Sequence, residues 1–225
     1  MKSHWLLSGL LVFLASCQTT SPTATPSSSI LSPDTVTMKE QPAAAETPSP
    51  STSETLTISA EGIGEARVGM TLGELKQKLA QKADFGEEIP LMVDFNAIAV
   101  SQNGEIQYYI LSFASEPLTD SDPIPFLMTN NPKYLTEEGI GPSVAIAKAE
   151  KAYGKATLNY NTDNESREYI QFANPPADNL SFRSDGSSED FVGIYGESTD
   201  GSYYETTEYK EDATIESVMV DGVRS

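Results

Sequence analysis

The sequence predicts an α+β fold: two helix-plus-antiparallel-strand repeats that form one helix-on-sheet domain, carried behind a disordered linker. Three observations predict it. Composition turns from Ser/Thr/Pro-rich to mixed and apolar near residue 57. An amphipathic helical stretch then occurs twice, its apolar residues 74 positions apart. Each copy is followed by short apolar or alternating runs divided by turn residues, which read as antiparallel strands.

Residues 1–16 read as a lipoprotein signal peptide. Lys2 supplies a positive start and Trp5 to Leu14 an apolar run, far below the roughly 20 residues that a membrane-spanning helix needs. Leu14-Ala15-Ser16-Cys17 closes that run. Small residues at Ala15 and Ser16 leave the bond before Cys17 open to a lipoprotein signal peptidase. Cys17 is the single cysteine of the chain, which favours lipidation there over an ordinary secretory signal with an incidental cysteine. The expected address is the cell envelope, lipid-anchored and extracytoplasmic. Gln18, in place of Asp, favours the outer membrane if the cell has one.

Residues 17–56 read as the lipidated Cys17 and a disordered Ser/Thr/Pro tether. Of the 39 residues from Gln18 to Leu56, 23 are Ser, Thr or Pro, and none is aromatic. Such a segment cannot bury enough apolar surface to offset chain entropy.

Residues 57–225 read as one globular domain, with repeat halves of about 57–130 and 131–225. Glu61-Gly62-Ile63-Gly64 recurs as Glu138-Gly139-Ile140-Gly141. Met70, Leu72, Leu75 and Leu79 match Val144, Ile146, Ala149 and Tyr153. The constant spacing favours duplication over a chance likeness of two amphipathic helices. Thr71 and Glu74 form a capping box at the start of the first helix, and Gly154 suits the end of the second.

In the first half, Ala97–Ser101 and Glu105–Phe113 flank Asn103-Gly104, a strong hairpin signal. The second of these runs is apolar on both faces, so the strand is expected to be central and covered on both sides. In the second half, Thr157–Tyr160, Glu168–Phe172, Leu180–Arg183, Phe191–Tyr195, Tyr203–Tyr209 and Ile215–Val220 all read as strands.

Arg67-Val68-Gly69-Met70-Thr71-Leu72-Gly73-Glu74-Leu75 resembles the segment that opens the helix in small outer-membrane lipoproteins of the BamE/SmpA type, and in tandem-repeat modules of β-lactamase-inhibitor-like proteins. Ala145 to Lys155 is similar to the later part of that unit, although Ser143-Val144-Ala145 replaces its Gly-Met-Thr entry. Glu138 to Pro142 and Asn164 to Tyr169 resemble segments of uncharacterised cyanobacterial lipoproteins. The resemblance implies an envelope location and a helix packed on an antiparallel sheet. A shared fold does not by itself name a partner or a chemistry.

The charge and the side-chain inventory narrow the function. The chain carries 14 Lys+Arg against 33 Asp+Glu, which repels nucleic acid and anionic headgroups. Its one histidine, His4, lies in the signal segment. The mature chain therefore lacks the imidazole of Ser-His-Asp or Cys-His catalysis and the His/Cys ligands of zinc sites. No cofactor is expected.

Asn161, Asp163, Asn164, Glu165 and Glu168 form an oxygen-rich stretch open to Ca²⁺ or, more simply, an Asx-rich turn. Asp120, Asp122, Asp185, Glu189 and Asp190 pose the same choice. Arg67, Arg167 and Arg183 suit carboxylate pairing at a helix–sheet junction more than anion binding. Tyr195, Tyr203, Tyr204 and Tyr209 gather in the last strands and offer an interaction surface, though tyrosine is also an ordinary strand former.

The expected function is that of a non-enzymatic, membrane-anchored envelope lipoprotein presenting its α+β module to another envelope protein. The alternatives are a carboxylate-dependent polysaccharide hydrolase or lyase, and an inhibitor of a secreted hydrolase.

Overall fold

The computed structural model describes residues 56–223, apart from 187, 189, 199 and 200. The signal peptide, Cys17 and all of the tether but Leu56 lie outside the described residues, as does Glu189.

The domain starts with a small antiparallel ribbon of β1 (Ile58–Ser59), β2 (Gly62–Ile63) and β3 (Ala66–Arg67). Its entry is held in place: the Ile58 N–H donates to the Leu135 carbonyl at 2.9 Å, and the Leu135 N–H to the Leu56 carbonyl at 3.2 Å. Helix α1 (Leu72–Lys78) follows. Its capping box is complete: the Glu74 N–H donates to Thr71 Oγ1 at 3.2 Å, and the Thr71 N–H to Glu74 Oε2 at 2.8 Å. Two orphan amides are thereby satisfied.

Then come β4 (Asp84–Phe85), β5 (Ile89–Met92), β6 (Phe95–Gln102), β7 (Glu105–Phe113) and β8 (Phe126–Thr129). Asn103 and Gly104 turn between β6 and β7 with φ of 53° and 79°, the left-handed pair that a tight hairpin requires. The second half supplies α2 (Ile146–Tyr153), β9 (Ala156–Asn161), β10 (Tyr169–Phe172), β11 (Leu180–Ser184), β12 (Tyr203–Thr206) and β13 (Ile215–Asp221).

Ten of these strands make one antiparallel sheet, in the order β12-β9-β10-β11-β13-β8-β7-β6-β4, with β5 also paired to β6. Each half carries its helix ahead of a run of neighbouring antiparallel strands, β6-β7-β8 in the first and β9-β10-β11 in the second, and β12 crosses to the edge beside β9 before β13 returns beside β11. The halves join where β8 pairs β13, with Met128 directly opposite Met219.

Hydrogen bonds repeat at the helix entries. Gly69 N–H donates to the Ile124 carbonyl, Ile124 N–H to that of Met70, and Leu72 N–H to that of Asp122, at 2.8, 2.8 and 3.1 Å. In the second half Ser143 donates to Ile215, Ile215 to Val144, and Ile146 to Ala213, at 2.7, 2.9 and 3.0 Å. Gly69 and Ser143 share a positive φ, 82° and 66°, which is uncommon for serine. Ala145 thus stands where Thr71 stands, but makes no side-chain cap.

The paired helix residues Leu72/Ile146, Leu75/Ala149 and Leu79/Tyr153 are all buried. They form one apolar core with Ile98, Ile110 and Leu127 from the first half and Ile170, Phe182 and Val218 from the second. The Gly-Ile-Gly segments match less well. Ile63 and Ile140 are both fully buried, but the left-handed glycine is the third residue of one copy, Gly64, and the first of the other, Gly139.

The fold is more sheet-rich than the helix-on-sheet expectation. Helices among the described residues are two, of 7 and 8 residues. The additional sheet comes from strands without alternation. All four residues of β8 are buried, so no period of two marks it. β5 is an exposed edge containing Pro90, a position where proline is tolerated. Conversely, Phe191–Tyr195 is no strand and meets its neighbour only at an isolated Gly193–Tyr209 bridge. Its Val192 and Gly193 amides donate instead to the Glu168 carboxylate. The last expected tyrosine strand is limited to Tyr203–Thr206.

Candidate functional site

Strand alternation gives the sheet two faces. One lies under the helices. The other, the far face, differs sharply between the two halves.

In the first half the far face is apolar. Ala97, Leu111, Phe126 and Met128 form a second buried cluster, with Phe95, Met92, Tyr109 and Met219 packed on it. Phe95, Phe113 and Phe126 make an aromatic trio with centroids 5.1–5.8 Å apart. Within β7, Leu111 is buried in this cluster and Ile110 in the core under the helices, so both of its faces are covered there. Its rim is exposed: Ile89 is 56%, Leu91 41%, Val93 66% and Phe113 41% accessible.

The matching positions in the second half are mostly polar. Strand register sets Tyr169 where Ala97 stands, Ser181 for Tyr109, Arg183 for Leu111 and Ser217 for Phe126. Only the Met128/Met219 place keeps its side chain.

The tip of the β5–β6 hairpin reaches across this face and is clasped by the β9–β10 loop. Arg167, its side chain 6% exposed, donates to Asp94 Oδ2 at 2.8 Å, to Met92 Sδ at 3.1 Å and to Asn164 Oδ1, with Glu165 at 3.7 Å. The Val93 N–H donates to Glu165 Oε2 at 3.2 Å. Arg183 sits beside the same methionine sulfur and pairs with Glu216 at 3.4 Å. Both arginines do pair with carboxylates, but on the far face and not at a helix–sheet junction. Arg67 donates to the carbonyls of Gly64 and Ala66.

Beside the clasp lies a groove of about 730 Å³, with Phe95, Phe113 and Phe126 on one wall and Asn159, Tyr169 and Gln171 among its polar lining. Three buried donors here find no acceptor among the described residues: Asn159 Nδ2, Arg167 Nε and Arg183 Nε. The first two belong to residues that line the groove. Arg183 lines the narrow crevice beneath the tip, with Met92, Met128 and Met219.

The four singled-out tyrosines lie elsewhere. Tyr204 stacks on Tyr160 at 4.6 Å, and Tyr160 meets Tyr195 edge-on at 4.7 Å and Phe191 at 4.0 Å. The Tyr195 hydroxyl donates to Glu168 Oε1 at 2.7 Å. Burial, and then that carboxylate, push the Tyr195 phenol above its ordinary range. Tyr209 donates to Glu150 Oε2 at 2.9 Å, and burial pushes its pKa up to about 12. Tyr203 donates to Glu205 at 3.0 Å. The hydroxyls of Tyr195, Tyr203 and Tyr209 thus have partners within the domain, and Tyr195 and Tyr204 join one aromatic cluster.

The oxygen-rich stretch divides as well. Asn161 Oδ1 accepts the Asp163 N–H at 2.8 Å in an Asx turn. Asn164 and Glu165 face Arg167, and the 1% exposed Glu168 accepts from Ser184, Val192, Gly193 and Tyr195. Asp185 accepts from Thr214, and Asp190 pairs with Lys210.

No family model, curated protein or solved structure matches the chain.

Proposed function

We propose that the chain is a non-enzymatic, lipid-anchored envelope lipoprotein whose tandem α+β module binds another envelope protein through the far face of its sheet. The observation that carries this reading is the exposed apolar rim of Ile89, Leu91, Val93 and Phe113, set on a second apolar cluster. An edge strand of this kind usually carries charges that discourage association, and a contiguous apolar patch marks a contact surface. Pro90 has no N–H to offer an added strand, so the contact is made by side chains.

The two halves are copies of one module, a reading supported by the matched helix stripe and the matched hydrogen bonds at the helix entries. The likeness of Arg67–Leu75 to BamE/SmpA-type openings supports the envelope setting. The lipobox ending in Cys17 supplies the anchor, and the Ser/Thr/Pro tether supplies reach.

Two measurements test this. Cys17→Ser should move the protein from the membrane to the soluble envelope fraction; retention on membranes at high salt removes the anchor. A photo-crosslinking residue at Val93 or Phe113 should give a reproducible adduct of discrete mass, and one at Tyr203 should not. If no described surface position yields a reproducible protein adduct, the binding reading fails.

A further inference from the structure

We infer that the far-face groove seats an extended, cationic polypeptide segment of the partner, with apolar side chains against the phenylalanine wall. This rests on the protein-binding reading above and adds the location and the chemistry of the segment.

Three features of the groove each select one part of that segment. The first is the set of unsatisfied donors. Asn159 is 7% exposed as a residue and the Arg167 side chain 6%, yet Asn159 Nδ2 and Arg167 Nε have no acceptor, and both residues line the groove. Native structures rarely leave such groups unpaired. Both are N–H donors at the groove wall with almost no accessible surface of their own, so the occupant brings acceptors, as the main-chain carbonyls of an extended chain do, and the donors uncover as it binds.

The second feature is charge. Asp94 and Asp178 line the groove and Glu165 stands beside it. The arginines there already hold carboxylates, and the whole chain has a formal charge of −19. Such a field attracts cationic side chains and repels anionic ones. The third feature is the Phe95/Phe113/Phe126 wall, which offers ring faces to apolar or cationic side chains.

The binding mode is not strand addition. β10, β11 and β13 are interior strands with neighbours on both sides, so the floor recognises its ligand through side chains. A neutral saccharide would satisfy the donors but leave the carboxylate rim unused.

The test uses the full-length lipidated protein in phosphatidylcholine nanodiscs, with empty discs as control. The probes are a short end-blocked peptide alternating Lys and Phe, its Glu–Phe counterpart, and chitotetraose. The Lys–Phe peptide should bind, at least about tenfold more tightly than the Glu–Phe peptide, and weaken as salt rises. Asp178→Lys and Phe113→Ser should each weaken it by about tenfold or more, while Tyr203→Ala leaves it unchanged. The Nε–H resonance of Arg167 and the side-chain amide of Asn159 should shift on binding. Equal affinity for both peptides, indifference to Asp178→Lys and Phe113→Ser, or displacement of the peptide by chitotetraose overturns the inference. If that happens while the Phe113 crosslink persists, the protein-binding reading stands and only the segment chemistry falls. If no described surface position gives a crosslink either, both fall.

Discussion

The two halves keep one face of the sheet alike and let the other diverge. Under the helices, Ile98 and Ile170, Ile110 and Phe182, and Leu127 and Val218 occupy matched places and all belong to one core. On the far face Leu111 is matched by Arg183 and Phe126 by Ser217. A helix-covered face must exclude water in both halves, so its chemistry is fixed by stability. The far face carries no such shared requirement: in one half it is a buried apolar platform and in the other a polar floor. The groove lies at their boundary, which is why this part of the molecule carries the functional reading.

The largest expected effect comes from forcing the far faces to exchange character. Leu111→Arg puts an unpaired charge into a fully buried site and should destabilise by more than about 4 kcal/mol. The reciprocal Arg183→Leu should stay within about 1 kcal/mol, because its partner Glu216 is about half exposed and stays hydrated when the pair is lost. Denaturant titration that found the two equally costly would show that the second half's floor is as structural as the first half's platform.

The helix-covered face should respond in both halves. Leu75→Ala should cost about 2–5 kcal/mol. Enlarging its counterpart, Ala149→Leu, should cost about 1–3 kcal/mol, since both sites are completely buried. A mild response at either site breaks the equivalence of the helices.

Alkaline pH acts on buried phenols of both halves, since burial also pushes Tyr108 in the first half well above its ordinary range. Leu79 is matched by Tyr153, whose phenol is pushed up to about 12, chiefly by burial; Tyr134 and Tyr209 are raised to about 12 in the same way. A raised phenol pKa means that the unfolded chain loses its proton first. The stability is therefore intact below about pH 10, the ordinary tyrosine value, and is lost as pH climbs toward 12. Unfolding followed against pH should show that decline, and Tyr153→Phe should flatten part of it.

The smallest effect concerns the caps. Thr71→Ala should cost about 1 kcal/mol. Ala145→Ser should recover up to a similar amount for α2, which lacks a side-chain cap. Equal indifference at both positions would mean that tertiary contacts alone fix the helix starts.

Local signals were legible and partner choices were not. The capping box, the Asn103-Gly104 turn and the apolar stripes of both helices are statements about neighbours within a few residues. The strands β9, β10, β11 and β13 also stood out, because their sequences alternate or cluster apolar residues between polar turns. β8 did not, since Phe-Leu-Met-Thr buried on both sides has no period to detect. The far-face site depends on pairs such as Arg167 with Asp94, 73 residues apart, and on register between halves. A sequence shows that Arg is scarce; it does not show which carboxylate it meets. The tyrosines drew attention by composition, but Glu168 and Glu150 had already claimed Tyr195 and Tyr209 for the domain's interior.

The way the chain enters the domain has a mechanical consequence. Thr57 bridges Leu135 in parallel, within the stretch connecting the two halves, and Asn179 donates to the Ala60 carbonyl at 2.8 Å. A pull applied at Leu56, as from an anchor upstream, therefore loads the connection between the halves and the β1–β3 ribbon first. At that isolated bridge the two backbone hydrogen bonds between Leu135 and residues 56 and 58 share the load with the ribbon.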